Sequence, residues 1–384
     1  MNKIKVLQFI TPSGFYGAER WVLALANNLD SEQVLCDLAV SQESEQQDLT
    51  VADLYPPSAG NVHRVAMAGR FDWRAVNRLV AIIQERGIDV VHSHGYKSDI
   101  LGFLAARKAG IRCVSTPHGF SGNVGFKLGL FIRLGTRMLR YFDAVAPLSE
   151  ELVADMARFR VPASKVRFIR NGVDLCEIDQ ALADMPLREP EQPEKVIGFI
   201  GQMIPRKGIP DLITVFDELY AADPTVRLQL LGDGRQREEL QQLAAAQRSA
   251  EAIEFLGFRR DRLALLHRFD LFVMTSSLEG IPRCMMEAMA VGVPVVAYDI
   301  PGVDQLIDHG VTGLLAPFGD QQALAACCRQ VLADPALASR LASAAREKID
   351  LEYSAGRMAQ DYTALFAELL GRTPEPIPVA KGVS

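Results

Sequence analysis

Two α/β domains, each built on a parallel sheet with crossover helices, are what the sequence predicts, and three observations predict them. Short β-branched runs alternate along the chain with longer amphipathic segments, the pattern of strand, crossover helix and parallel strand. The 384 residues exceed one core of ordinary size, since a domain commonly holds roughly 150 residues. Ala183–Lys195, rich in proline, glutamate and glutamine (Pro186, Pro190, Pro193), splits the alternation into two series and reads as a linker.

In the first series Lys5–Ile10, Val34–Val40, Val90–His94, Cys113–Pro117 and Ala144–Leu148 read as strands. Glu19–Leu29, Trp73–Arg86, Ile100–Ala109 and Lys127–Tyr141 read as the helices between them. The second series runs through Val196–Ile200, Leu228–Leu231, Ile253–Phe255, Leu271–Met274 and Val295–Tyr298. Helices follow at Ala323–Leu332 and Pro335–Ile349, then a last amphipathic segment, Gly356–Leu370. The tail Thr373–Ser384 has three prolines and few large apolar residues, which predicts disorder. Ligands of such sheets bind beyond the carboxyl ends of the strands, near helix N-termini. The expected site is therefore a cleft between the two domains.

A hydrophobic fraction of 49% and a charged fraction of 23% are those of a globular chain. The net charge of −6 gives no support to bulk nucleic-acid binding and leaves local basic patches open. Cys36, Cys113, Cys176, Cys284, Cys327 and Cys328 form no CxxC pair and have no histidine at zinc-ligand spacing, so they read as small buried residues of a reducing compartment. The opening segment has only the apolar run Val6–Ile10, broken by Gln8, which is a strand and too short for a signal peptide. No apolar run approaches the ~18 residues of a membrane span. A cytoplasmic chain, at most peripheral on a membrane, is expected.

The most informative stretch is Ser276-Ser277-Leu278-Glu279-Gly280-Ile281-Pro282-Arg283-Cys284-Met285-Met286-Glu287-Ala288-Met289-Ala290. It follows a buried strand and opens a helix, with Glu279 in the turn and Glu287 on the second helical turn. Eight residues at ~1.5 Å rise separate the two by ~12 Å, with ~80° between their directions. That exceeds the ~5 to 10 Å of two carboxylates sharing one bond. It suits two acceptors gripping different hydroxyl groups of one long ligand, while backbone N–H groups from Ile281 to Cys284 hold phosphate at the helix start. Spacing alone favours a plainer reading, with Glu279 a helix cap and Glu287 solvated.

The motifs around this stretch change the balance. Glu279-x7-Glu287 followed by Ala288-Met289-Ala290-x-Gly292-x-Pro294-Val295-Val296-Ala297 resembles the signature of retaining glycosyltransferase family four, of GT-B fold. Further landmarks fall in that family's order: Asn171-Gly172-Val173-Asp174, Gly201 to Gly208 with Pro205-Arg206-Lys207, Leu231-Gly232-Asp233-Gly234, Phe255-Leu256-Gly257 and Asp308-His309-Gly310-x-x-Gly313-Leu314-Leu315. Gly14-Phe15-Tyr16-Gly17-Ala18-Glu19, His92-Ser93-His94 and Thr116-Pro117-His118-Gly119 match in the first half. An ordered set over nearly the whole chain is far more specific than any lone motif.

The resemblance implies two Rossmann-like domains facing across a cleft. Residues 1–182 would form the acceptor domain, a helix at about 354–371 would pack back on it, and 195–350 would bind the donor, leaving 372–384 as a disordered tail. It implies that Glu279 binds donor-sugar hydroxyls, Glu287 the ribose hydroxyls, and Arg206 and Lys207 the diphosphate. Cationic charge suits that place because the leaving group gains negative charge as the glycosidic bond breaks. The plain alternative for Arg206 and Lys207 is a solvated loop. His118 becomes a donor-sugar contact, against a structural histidine. Gly17, Asn171, Gly201, Gln202, Gly280, Ile281, Pro282, Arg283 and Cys284 complete the implied donor-binding set. His92 and His94 share one face of a strand, with Ser93 on the other, and read as structural or acceptor-lining.

Two positions depart from the family's pattern. Gln202 stands where arginine is common, so Arg206 and Lys207 carry the diphosphate alone. Gln305 replaces a usual acid. No Asp-x-Asp occurs in the chain, which agrees with cationic side chains and helix N-termini neutralising the diphosphate without a metal. No cofactor is expected beyond the nucleotide-sugar substrate, with UDP favoured over GDP.

Lys127–Phe142 sets Arg133, Arg137 and Arg140 within ~60° of arc, with Leu128, Phe131, Leu134, Met138 and Phe142 on another face. This reads as a sheet-covering helix with a basic edge, or as a surface that docks on anionic membrane. The functional expectation is a retaining hexosyltransferase acting on a saccharide or lipid-linked acceptor in surface polysaccharide or glycolipid synthesis. A sugar-nucleotide epimerase of related fold and a non-catalytic sugar-nucleotide-binding subunit are the alternatives.

Overall fold

The computed structural model describes residues 3–69, 72–119, 133, 135–185 and 194–372. The chain divides into two compact units, one holding the described residues up to Arg170 together with those from Ala355 onward, the other Asn171–Ser354.

The first unit is built on β1 (Ile4–Ile10), β2 (Val34–Gln42), β3 (Val62–Ala66), β4 (Val90–His94), β5 (Arg112–Ser115) and β6 (Ala144–Val145), all parallel in the order β3-β2-β1-β4-β5-β6. Val6, Leu7 and Phe9 are wholly buried because helices cover both faces of the sheet, so adjacent residues of a central strand are apolar. Helix Gly17–Asn28 packs Trp21, Val22 and Leu25 on one face, joined by Met358, Tyr362 and Phe366 of the last helix, Ala355–Leu369. Helices Arg74–Arg86 and Tyr96–Ala109 supply Leu79, Ile83, Leu101 and Ala105 to the other.

The second unit repeats the plan with β7 (Lys195–Ile200), β8 (Val226–Leu231), β9 (Ile253–Gly257), β10 (Leu271–Met274), β11 (Val295–Asp299) and β12 (Leu314–Pro317), parallel in the order β12-β11-β10-β7-β8-β9. In both sheets the first strand is central and the order reverses beside it, between β1 and β4 and between β7 and β10.

Three features differ from the sequence expectation. β3 was not foreseen: it is an edge strand whose His63 and Arg64 interrupt any apolar run, and only Val65 is buried. β12 was legible only as part of a glycine-rich motif. The unit boundary lies at Arg170/Asn171, before the expected end of the first domain at 182. Val173 is wholly buried in the second core and Asp174 caps helix Leu175–Ala183, whose Ile178 packs there too. Polar composition marks a solvated loop; it does not show which core its flanks join. The middle of the proposed linker (186–193), the first part of the basic helix (127–132 and 134) and the tail 373–384 lie outside the described residues. Among the described residues no helix is long and apolar enough to cross a membrane. All six cysteines are free; Cys36, Cys113 and Cys328 are buried, whereas Cys176 is exposed, contrary to expectation.

Candidate active site

The functional side chains of each unit gather on turns leaving the carboxyl ends of the strands. In the second unit they sit at the reversal of strand order, where a doubly wound sheet opens a crevice because crossovers depart to opposite faces. The turn after β7 carries Arg206 and Lys207 in the short 3-10 turn Pro205–Lys207, and the turn after β10 carries Glu279. Backbone bonds tie the turns together. The Ser277 amide donates to the Arg206 carbonyl at 2.8 Å, and Thr275 Oγ1 donates to the Lys207 carbonyl at 3.1 Å. Only glycine allows this approach at position 208: φ is +61° there, and a Cβ would stand 2.1 Å from the Thr275 carbonyl oxygen.

Lys207 Nζ donates to Glu279 Oε1 at 2.5 Å. Arg206 Nη1 reaches Glu279 Oε2 at 3.4 Å and the Leu278 carbonyl at 2.9 Å. Lys207 and Glu279 are buried, at 6% and 8% exposure, while the Arg206 side chain is 44% exposed. The solvated-loop alternative therefore fails for Lys207. An ammonium group has three N–H donors, and Glu279 takes one of them.

Helix Arg283–Val291 follows, and Met285, Met286, Ala288, Met289 and Ala290 embed it in the core. Glu287 is carried inside with them, 3% exposed, where an unpaired carboxylate would be strongly disfavoured. Arg262, on the short helix Arg262–Leu266, grips both its oxygens through Nε and Nη2 at 3.0 Å each, and Arg283 Nε adds a third bond at 3.0 Å. Arg262 Nη2 also donates to Glu177 at 3.0 Å. Burial by itself would lower the Arg262 pKa; the Glu287 and Glu177 carboxylates reverse this and hold it raised. Glu287 is thus buried and held by two guanidinium groups, and the solvated reading fails for it. The Cys284 thiol lies within electrostatic reach of Lys207, Glu279 and Glu287, and burial pushes its pKa up to about 12.

In the first unit the turn after β5 brings His118 beside β4. His94 Nδ1 and His118 Nε2 share a hydrogen bond at 3.3 Å, and His92 Nε2 one with Thr116 Oγ1 at 2.8 Å. Thr116 Oγ1 continues to Tyr362 OH at 2.7 Å. Trp21 packs its ring 5.1 to 5.8 Å from those of His92, His94, His118 and Tyr362. Burial lowers His92 to about 3, His118 to about 4, and His94 well below its ordinary value, so all three are neutral rings near pH 7. As sequence alternation required, Ser93 faces the other way and donates to buried Asp99 at 2.6 Å.

Residues 15–177 match the family model described as Glycosyltransferase Family 4, and residues 185–348 the model described as Glycosyl transferases group 1. The chain belongs to glycosyltransferase family four. It is a GT-B transferase that takes its sugar from a nucleotide-sugar donor. Glycogen synthase of Mycobacterium tuberculosis is 29% identical over 305 residues, 76% of this chain and 72% of that protein. An Escherichia coli UDP-Gal:alpha-D-GlcNAc-diphosphoundecaprenol alpha-1,3-galactosyltransferase is 26% identical, covering 65% of this chain and 67% of its own length. Among solved structures, Anabaena Alr3699/HepE in complex with UDP superposes with a TM-score of 0.77 at 22% identity, over 95% of this chain and 100% of that one.

Several motif residues of this family-four transferase have structural work. Glu19 Oε2 accepts from the Tyr16 amide at 2.9 Å, so Gly14–Glu19 caps the first helix, with Gly17 at its start and open space where its Cβ would be. Asn171 Oδ1 bonds its neighbour, the Gly172 amide, at 2.9 Å. Gly201 opens the turn after β7, followed by exposed Gln202, and Pro282 is buried as the residue preceding helix Arg283–Val291. Gly280 and Ile281 lie between Glu279 and that helix. Sequence reasoning missed Arg262, Glu177, Trp21 and Tyr362. Nothing near them in the chain signals the role; only the fold of each unit brings Arg262 to Glu177 and Glu287, and Trp21 and Tyr362 to the three histidines.

Proposed function

We propose that the chain is a retaining, metal-independent hexosyltransferase that uses a UDP-sugar and a saccharide or lipid-linked acceptor in surface polysaccharide or glycolipid synthesis. The observation that carries this is the buried Lys207–Glu279 pair, flanked by Arg206, on two turns locked together at the reversal of the second sheet. The Lys207 ammonium and the Arg206 guanidinium supply positive charge where the diphosphate departs. Glu279 keeps lone pairs for sugar hydroxyls, Glu287, oriented by Arg262 and Arg283, accepts from the ribose hydroxyls, and the first amide groups of its helix face the phosphates.

In the step proposed, the bond from the anomeric carbon to the β-phosphate oxygen breaks. A bond to the acceptor oxygen forms on the same face, and the acceptor's proton passes to the departing phosphate. Neutral His118 donates or accepts a hydrogen bond at the donor sugar. UDP rather than GDP is supported by the UDP complex of the Anabaena neighbour, and a lipid diphosphate acceptor by the substrate named for the E. coli relative. A cytoplasmic location fits a nucleotide-sugar donor.

A thermal-shift panel of nucleotide sugars tests the donor, since a ligand at ~100 times its dissociation constant stabilises by ~2.7 kcal/mol. NMR of the product then reads the anomeric configuration. A UDP-hexose that stabilises and yields a product of unchanged configuration is expected, with turnover insensitive to EDTA. An inverted product, or release of an isomerised sugar nucleotide from donor alone, overturns the proposal.

A further inference from the structure

The first unit carries a second concentration of charge, away from its histidines. A cavity of about 320 Å³ is lined by Arg133, Arg137, Arg140, Arg158 and Arg160, with Phe159. Arg133 and Arg137 lie in the part of the basic helix that the structure describes, which ends in the 3-10 turn Leu139–Tyr141 just before β6. Arg158 to Arg160 close helix Glu150–Arg158, which starts just after β6. Both segments therefore end at the amino edge of the sheet, whereas His94, Thr116 and His118 stand at its carboxyl edge.

Five guanidinium groups around one cavity repel each other unless anions balance them. Arg158 has Asp155 at 2.7 Å. Among the described residues no carboxylate pairs with Arg133, Arg137, Arg140 or Arg160. Arg140 gives Nη2 to the Phe159 carbonyl at 3.3 Å, and its Nε is buried without an acceptor. Arginines in the last turn of a helix complement the dipole there, which accounts for Arg158 and Arg140 but not for Arg133, which stands earlier in its segment. Arg160 is the one non-glycine residue with positive φ among those described, at 58°. Glycine or asparagine would end the helix there with less strain, yet the position holds another guanidinium facing the cavity. The excess is local, since the whole chain carries −6.

We infer that this pocket binds a phosphate monoester or diphosphate group at a site separate from the donor site. Guanidinium forks match phosphate oxygens two at a time, and a cluster with its charge unbalanced is preorganised for a dianion. The group can arrive on a free phosphorylated molecule or as a phospholipid headgroup; the chemistry is shared and the test separates the sources.

The full chain carrying Arg206→Ala and Lys207→Ala, which removes the donor-diphosphate cations, is titrated calorimetrically with inorganic pyrophosphate. It is also sedimented with phosphatidylcholine vesicles with and without phosphatidic acid. Adding Arg133→Ala and Arg137→Ala, both at exposed positions, should weaken binding at least tenfold. Arg133→Lys with Arg137→Lys should recover part of it. Pyrophosphate binding without co-sedimentation identifies a free phosphorylated ligand; co-sedimentation that requires phosphatidic acid and both arginines identifies a headgroup. Binding that is unchanged by the alanine pair, or absent for both probes, overturns the inference. Donor turnover of Arg133→Ala/Arg137→Ala in the otherwise native chain should stay at the native rate, so loss of the pocket and loss of the donor site remain distinguishable.

Discussion

Replacing Lys207 by methionine tests the site most directly, because it removes one charge and keeps most of the buried stem. Removing one member of a buried ion pair commonly costs about 3 to 5 kcal/mol, since the other charge is left uncompensated. Here Arg206 Nη1 stays at 3.4 Å from Glu279, although its side chain is 44% exposed and also bonds the Leu278 carbonyl. Partial compensation by a half-solvated group puts the expected loss near the low end, about 3 kcal/mol. Glu279→Gln should cost a similar amount by stranding Lys207. The double variant Lys207→Met/Glu279→Gln leaves no buried charge at that point, so its stability should return to within about 1 kcal/mol of the native chain. Transfer should behave differently. Loss of one positioned donor at a developing anion lowers turnover about 10² to 10³-fold, and the double variant should remain as poor as Lys207→Met. Urea denaturation and initial rates of UDP release on the four proteins measure both cycles. If the double variant recovers transfer along with stability, or Lys207→Met turns over at the native rate, the pair is structural and the assigned role is wrong.

Four further outcomes follow from the same geometry. Arg262→Met takes from Glu287 the two bonds that Nε and Nη2 donate, and should destabilise the chain by about 3 kcal/mol in urea; a loss no larger than that of an exposed arginine such as Arg227 would contradict the clamp. Gly208→Ala forces a left-handed conformation costing about 1 to 2 kcal/mol and pushes the turn off Thr275, so donor affinity in calorimetry should fall with stability. Burial raises Asp99 to about 7, opposed by its hydrogen bonds from Ser93 and Ser115. Its folded value lies above the unfolded 3.8, so the stability its proton gives is complete below pH 3.8 and lost as pH rises through 7. Asp99→Asn should therefore gain on the native chain by about 1.4 kcal/mol per pH unit across that window, measured by denaturation from pH 5 to 8; a constant difference would refute the assignment. Imidazole NMR should show His92, His94 and His118 still neutral at pH 5.5, and titration of any of them near 6.5 would contradict their burial.

The reach of the sequence follows from what is local in a chain. Alternation of short β-branched runs with amphipathic helices is written residue by residue, so β1, β2, β4, β7, β10 and β11 were legible, and the stretch from Ser276 to Ala290 announced a turn opening a helix. Its spacing also put Glu287 on the second turn, inside helix Arg283–Val291. What spacing could not give was burial or partner. Arg262 is 25 residues from Glu287, Lys207 72 from Glu279, and Thr116 246 from Tyr362. The two charge pairs meet because strand order carries the segments after distant strands to one edge, and Thr116 meets Tyr362 because the last helix packs back on the first sheet; neither kind of contact leaves a periodic trace. The same holds for the boundary at Asn171, set by whether Val173 finds the second core, and for β3, whose edge position lets polar residues pass as loop. Local pattern fixed which elements form; the order in which the sheets stack them decided which side chains share a site.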